Sequence, residues 1–316
     1  MINVILKERY TNEPLWVDVS DPTPEELAQI KSKYGLHETW VNDCVQHGHL
    51  PKYEKYGELT FIILRAYDDD SNPLDDNIRE ITRKVSFFLG HRFLISIHRS
   101  GGTFFNKTME KYRADVGEIH AQTVLLEVLH DLVETYQLLI EGAEMSIHEF
   151  EMWVLHGASS DTQWDQIFRT QCRLSVTKRM LWHSLHTIQK FIPNSQANLP
   201  LCQDIRERIE SLQFFTDGLL DDLNNIQSIQ LALASNRLNE SSHKTNEVMR
   251  TLTVFSMFFL PINFLVGLYG MNFEYMPELK FKYGYFGVWT IILITEFFIY
   301  LWFRKKGWLR AEPEPR

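Results

Sequence analysis

Three asparagines stand on ground where amides are rare. Asn263 lies inside a nearly unbroken apolar run from Leu252 to Met271, Asn272 follows that run directly after Gly270-Met271, and Asn246 precedes it by less than two helical turns. An uncharged amide at membrane depth is costly unless it meets another polar group or water. Projected at 100° per residue, Asn246, Met249, Thr253, Ser256, Leu260, Asn263 and Gly267 fall within an arc of roughly 100°. Phe255, Phe258, Phe259, Ile262, Phe264 and Leu265 occupy the remaining faces. Such a stripe either glues two helices together through a hydrogen bond or lines a wet cavity. Its continuation through Asn246 to Asn239 favours the cavity. One helix cannot enclose a channel, so a ring of identical subunits is required.

The elements that must hold this stripe follow from the pattern around it. Leu252–Met271 and Tyr285–Phe303 are each about twenty apolar residues, enough to cross a ~30 Å hydrocarbon core as helices. Arg304-Lys305-Lys306, with Arg310 beyond, follows the second run, and the positive-inside rule places that end and the N-terminal region in the cytoplasm. The loop between them faces outward with Glu274, Glu278, Lys280 and Lys282. Pro261 can bend the first helix, since neighbouring helices tolerate the lost hydrogen bond. Glu296, an acid near mid-membrane, reads better as a partner for a neighbouring helix than as a proton-coupling group.

Upstream, short apolar runs at 15–19, 59–64, 85–89 and 92–97 predict strands, and Thr23-Pro24-Glu25-Glu26 predicts a capped helix start, giving an α/β domain. From about residue 103 the spacing turns helical, over 122–155 and 165–190. No proline occurs between Leu201 and Leu260, so one long helix can run into the membrane. Near its end Asn239-Glu240 is echoed seven residues later by Asn246-Glu247. The expected division is an α/β domain with following helices over 1–160, a helical stalk over 161–251, membrane helices over 252–271 and 285–303 flanking a loop at 272–284, and a basic tail over 304–316.

Composition narrows the function. A net charge of −9 argues against nucleic acid as a partner and suits cations. The three cysteines form no framework. The N-terminus has no apolar run of signal-peptide type. No phosphate-binding Gly-x-x-x-x-Gly-Lys motif points to ATP, and no hydrolase motif points to an enzyme. The histidine pairs His47/His49, His91/His98 and His183/His186 lack the further ligands of a zinc site.

Lys244-Thr-Asn-Glu-Val-Met-Arg250, the helix with Pro261, and Gly267-Leu-Tyr-Gly-Met-Asn-Phe-Glu-Tyr-Met-Pro-Glu278 closely resemble the CorA family of divalent cation transporters. Trp16-Val-Asp18 and Phe88-Leu-Gly-His-Arg-Phe-Leu-Ile95 are similar to that family's cytoplasmic domain. The resemblance implies a funnel-shaped homopentamer in the plasma membrane, the inner membrane of bacteria, with both termini cytoplasmic. It implies passage of hydrated Mg2+, with Co2+ and Ni2+ also carried, down the electrochemical gradient, without ATP or a prosthetic group. A divalent ion gains about 4.6 kcal/mol per 100 mV on inward passage.

It also implies roles. Gly270, Met271 and Asn272 form the selectivity filter, whose amides and carbonyls hydrogen-bond the hydrated ion, because magnesium sheds water reluctantly. Met249, Leu252 and Leu260 are apolar constrictions, Asn246 is a polar ring below them, and Glu274 and Glu278 concentrate cations. Closure by cytoplasmic Mg2+ needs acids bridging subunits, but Ser235 occupies one place where an aspartate is expected. Asp217, Asp221 and Asp222, with Asp69 in the run Asp68-Asp69-Asp70, are the substitutes. Two alternatives stay open: a zinc-transporting branch, which often carries Gly-Ile-Asn, and a two-helix membrane sensor that moves no ions.

Overall fold

The computed structural model describes residues 1–7, 13–72, 75–99, 103–114, 119–156, 161–194 and 199–308. The chain divides into two compact units, Met1–Gln230 and Leu231–Arg316. The long helix α7 (Leu199–Tyr269) belongs to both.

The first unit is built on a six-stranded sheet, β1 (Ile2–Lys7), β2 (Pro14–Ser20), β3 (Lys52–Tyr56), β4 (Leu59–Tyr67), β5 (Thr82–Leu89) and β6 (Leu94–His98), in the order β1-β2-β6-β5-β4-β3. Only β2 and β6 run parallel. The four predicted strands are β2, β4, β5 and β6. The pairing adds β1 and β3 at the two edges, where burial is partial and the apolar signal correspondingly thin.

Alternation along the strands sends Val17, Val19, Phe61, Ile63, Phe88, Ile95 and Ile97 to one face. There they pack against α1 (Pro24–Tyr34) and α2 (Glu38–Val45) through Leu27, Ile30, Trp40 and Val41. Trp40 stacks on Phe61 at 5.3 Å, and Phe61 lies 4.8 Å from Phe88. The start of α1 is the predicted capping box: Thr23 Oγ1 accepts from the Glu26 N–H at 3.2 Å, and the Glu26 carboxylate accepts from the Thr23 N–H at 3.0 Å. The other face of the sheet meets α5 (Ala121–Leu155) and α6 (Asp161–Phe191). Tyr136 of α5, buried, donates to the Arg65 carbonyl at 2.9 Å. Burial pushes its phenol pKa up. The turn of helix α3 (Ile78–Ile81) leads into β5, and α4 (Asn106–Ala114) precedes α5.

α7 continues unbroken through Pro261. In the first unit its Ile205, Ile209, Leu212, Thr216, Leu219 and Leu223 are buried at three-to-four-residue spacing. In the second unit it is followed by the turn Pro277–Lys280 and by α8 (Gly284–Lys306), which Gly307 ends at φ 76°, a conformation that favours glycine. α7 and α8 each hold a window long and apolar enough to cross a membrane, with mean hydropathy 1.9 and 1.8 and 0% and 6% of the window buried.

Candidate functional site

The polar stripe of α7 faces away from α8. Phe258 of α7 stacks on Phe303 of α8 at 6.0 Å, which marks the side of α7 turned toward α8. Val254, Phe258, Pro261, Ile262, Leu265 and Tyr269 are all half-buried, and their spacing places them on that side. On α8 the less exposed residues Ile292, Thr295, Glu296, Ile299 and Phe303 form the matching stripe. At 100° per residue, the centre of the predicted polar stripe lies roughly 170° from the α8-facing side of α7.

The predicted residues follow this division. Asn246, Thr253, Asn263 and Gly267 are exposed, as are Met249, Leu252 and Leu260 at 60%, 63% and 65%. Ser256 is half-buried. Thr253 donates its hydroxyl to the Met249 carbonyl at 2.8 Å, so this hydroxyl serves its own helix. Asn263 points away from α8, so it does not glue α7 to the other membrane helix of its own chain. Glu296, which the sequence places against a neighbouring helix, lies on the α7-facing side of α8, and one carboxyl oxygen is buried without a hydrogen-bond partner among the described residues.

At the outer end α7 stops at Tyr269. The Gly270 N–H donates to the Val266 carbonyl at 2.9 Å and the Met271 N–H to the Leu268 carbonyl at 3.4 Å, so the helix closes on its last turn and releases Met271 and Asn272 beyond it. A Cβ on Gly270 would stand 3.0 Å from the Val266 oxygen, a fixed backbone atom, which is why glycine suits this turn. Asn272 and Glu274 are exposed. The side chain of Glu278 lies outside the described residues.

The regulatory candidates are scattered within one chain. Asp217 pairs with Lys178 of α6 at 2.7 Å. Asp68 pairs with Arg83 at 2.5 Å, while Asp69, Asp221 and Asp222 are exposed. Among the described residues no three His, Cys, Asp or Glu side chains come close enough to hold a metal ion, and this includes the histidine pairs.

Sequence reasoning missed two polar groupings. Asp18, Ser96 and His98, all buried, join across the parallel pair β2–β6: Ser96 donates to Asp18 at 2.5 Å, His98 Nε2 lies 3.2 Å from the same carboxylate, and the Trp16 indole donates to Ser96 at 3.0 Å. The second is a set of cations around Arg65 and Lys84, brought together by strand register. Neither has a sequence signal, because each depends on strands about twenty to eighty residues apart.

A model of the CorA-like Mg2+ transporter protein family matches residues 11–305. The cobalt/magnesium transport protein CorA of Thermotoga maritima is 27% identical over 98% of this chain and 87% of its own length. The magnesium transport protein CorA of Haemophilus ducreyi is 25% identical over 94% of this chain and 93% of its own. Among solved structures, the complete CorA magnesium transporter of Methanocaldococcus jannaschii superposes with a TM-score of 0.59 at 21% identity, covering 96% of this chain and 95% of that one, a likeness of fold. With the family match spanning nearly the whole chain, from the sheet to the helices that flank Gly270-Met271-Asn272, this chain belongs to the CorA-like Mg2+ transporter family.

Proposed function

We propose that the chain is one subunit of a homopentameric channel for hydrated divalent cations, carrying Mg2+ and Co2+, with Ni2+ a further passenger. The observation that carries this reading is the division of α7: the side toward α8 is apolar, and the opposite side bears Asn246, Ser256, Asn263 and Gly267 and leads to Gly270-Met271-Asn272. A helix that turns its amides away from its own partner needs copies of itself to shelter them. The names of the relatives from Thermotoga maritima and Haemophilus ducreyi support magnesium, and for the first also cobalt, as the substrate.

In this arrangement five copies of Asn272 and the Gly270 carbonyls present oxygen acceptors to the water shell of the ion at the outer mouth. Met271 holds the turn between them, and Glu274 and Glu278 raise the local cation concentration. Below, Asn263 keeps the path wet above Leu260 and Ser256 between Leu260 and the constriction of Leu252 and Met249, and Asn246 receives the ion. Apolar rings of this kind gate by dewetting. The basic run Arg304-Lys305-Lys306 places the sheet unit and the end of α8 in the cytoplasm. Inward current then follows the membrane potential, at about 4.6 kcal/mol per ion per 100 mV. Asp69, Asp217, Asp221 and Asp222 close the channel when cytoplasmic Mg2+ bridges them between neighbouring copies.

The test is uptake by the purified protein in liposomes, comparing Mg2+, Co2+ and Zn2+ with and without Asn272→Ala. Magnesium and cobalt uptake that falls with the substitution is the expected result. Uptake of zinc alone would move the chain to a zinc transporter, no uptake would leave a membrane sensor, and uptake indifferent to Asn272 would remove the filter assignment. Replacing Asp217, Asp221 and Asp222 by alanine together should weaken closure by internal Mg2+; unchanged closure would remove these acids from regulation.

A further inference from the structure

Away from the ion path, the sheet unit gathers positive charge in one place although the whole chain carries −9. Arg65, Arg79, Arg83, Lys84, Arg99 and His47 line a cavity of about 80 Å3 where the turn after α2 crosses β4, β5 and β6. Among the described residues no aspartate or glutamate lines it.

Most of these cations are held without being neutralised. Arg65, 4% exposed, donates to the carbonyls of His47, His49, Ile78 and Thr82 at 3.4, 3.2, 3.3 and 3.0 Å and to Thr82 Oγ1 at 2.6 Å. Lys84 donates to the carbonyls of Asp43 and Gln46, each at 2.5 Å. Arg99 donates to the Val45 carbonyl at 3.1 Å and to a ring nitrogen of His47. Carbonyls orient a cation but leave its charge uncancelled. The carboxylate nearest in influence, Asp43, is already bound to Lys52 at 2.6 Å and to His49 at 3.2 Å. Arg83 alone is matched, by Asp68 at 2.5 Å. Arg79 is exposed and lies over Gly48, and its guanidinium has no hydrogen bond or ion pair among the described residues.

The electrostatic consequences are consistent with an excess of positive potential. Burial, with Arg65 and Arg99 adding to it, pushes the Lys84 ammonium down to about 8. Arg99, then burial, then Lys84, Arg79 and Arg65 pull the His47 imidazole below its usual range.

We propose that this cavity binds a phosphate-bearing anion. The exposed guanidinium of Arg79 and the remaining N–H groups of Lys84 and Arg99 converge on this small cavity as donors for a tetrahedral oxyanion, and Arg65, whose five N–H groups are all taken by carbonyls and Thr82 Oγ1, adds a fixed positive charge beside them. A second cavity of about 230 Å3 shares Cys44, Val45, His98 and Arg99 with the first and adds Asp21, Pro22 and Ile97, so the acid it adds does not line the first. It offers room for the organic part of a phosphate ester. The competing account is that Lys84 and Arg99 serve only to satisfy the last carbonyls of α2. That account assigns no work to Arg79.

The experiment is calorimetric titration of the full-length protein in detergent, free of magnesium and at constant ionic strength, with inorganic phosphate, AMP and ATP, and with acetate as control. Saturable binding of phosphate or nucleotide is expected, with thermal stability rising with ligand concentration. Arg79→Ala, on an exposed side chain, and Lys84→Met should each weaken binding at least tenfold, and Arg92→Ala, exposed on the β5–β6 turn, should leave it unchanged. Equal affinity for phosphate and nucleotides assigns inorganic phosphate; tighter nucleotide binding assigns an ester that fills the second cavity. The proposal is overturned if none of the three anions binds saturably, or if binding survives both Arg79→Ala and Lys84→Met.

Discussion

Phe88 and Phe259 are the same residue in two different kinds of surroundings. Phe88 in the sheet unit is fully buried between Phe61, Trp40 and the apolar face of α1 and α2. Phe259 on α7 touches Phe255 at 4.3 Å and stays 48% exposed, as do most of the large apolar side chains of the second unit. The first unit buries its apolar surface against itself and so carries its own folding free energy. The second leaves its apolar runs uncovered, because a two-helix hairpin has too little interior to bury twenty-residue apolar runs, and the proposed channel completes it in lipid and against copies of itself. The proposed ion path runs through the unit that cannot shelter itself.

The largest effect that could break this comparison is on stability. Phe88→Ala should cost about 3–5 kcal/mol in urea unfolding of the full chain in detergent. Phe259→Ala should stay within about 0.5 kcal/mol. Equal costs would mean that the second unit has a packed interior after all. Next in size is the loss of a side-chain acceptor at the outer mouth: Asn272→Ala should lower Mg2+ uptake about tenfold, the worth of one net hydrogen bond to the hydrated ion. Gly270→Ala should act in the same direction but less, about threefold. Its Cβ would be 3.0 Å from the Val266 oxygen, and a few tenths of an ångström of backbone shift relieve it. A Gly270→Ala channel as active as the parent would mean that the last turn of α7 is not fixed.

The smallest effect is a pH dependence confined to the first unit. Lys84 is held down to about 8 from 10.5 by burial, so between those values the unfolded chain binds the extra proton and stability rises with pH. Burial raises Cys44 from 9 to about 11, so above pH 9 the unfolded chain loses that proton first and stability falls. The two oppose each other between pH 9 and 10.5. A net rise should therefore appear between pH 8 and 9 and disappear in Lys84→Met. A rise of the same size in the variant would place its origin elsewhere.

Much of the architecture was legible because it is written in local periodicity. Thr23 and Glu26 announce the α1 cap three residues apart, and the proline-free stretch before Leu260 announces α7. The polar stripe of α7 could be drawn on a helical wheel. Edge strands β1 and β3 were not legible, since Lys52-Tyr-Glu-Lys-Tyr56 is half-polar and gains its strand from pairing with β4. Asp217 looked like a free acid because Lys178, its partner, lies 39 residues away on another helix.

By itself the sequence determined which stretches are apolar enough to enter a membrane, which face of α7 carries amides, and that Gly270-Met271-Asn272 lies at the outer end of that helix, since each depends on residues within a few helical turns of one another. Tertiary structure alone decided that this face turns away from α8, that Asp18 meets Ser96 and His98, and that Arg65, Lys84 and Arg99 converge. Those are relations between distant segments. They are set by strand register and helix packing, which act across space after the chain has folded back on itself.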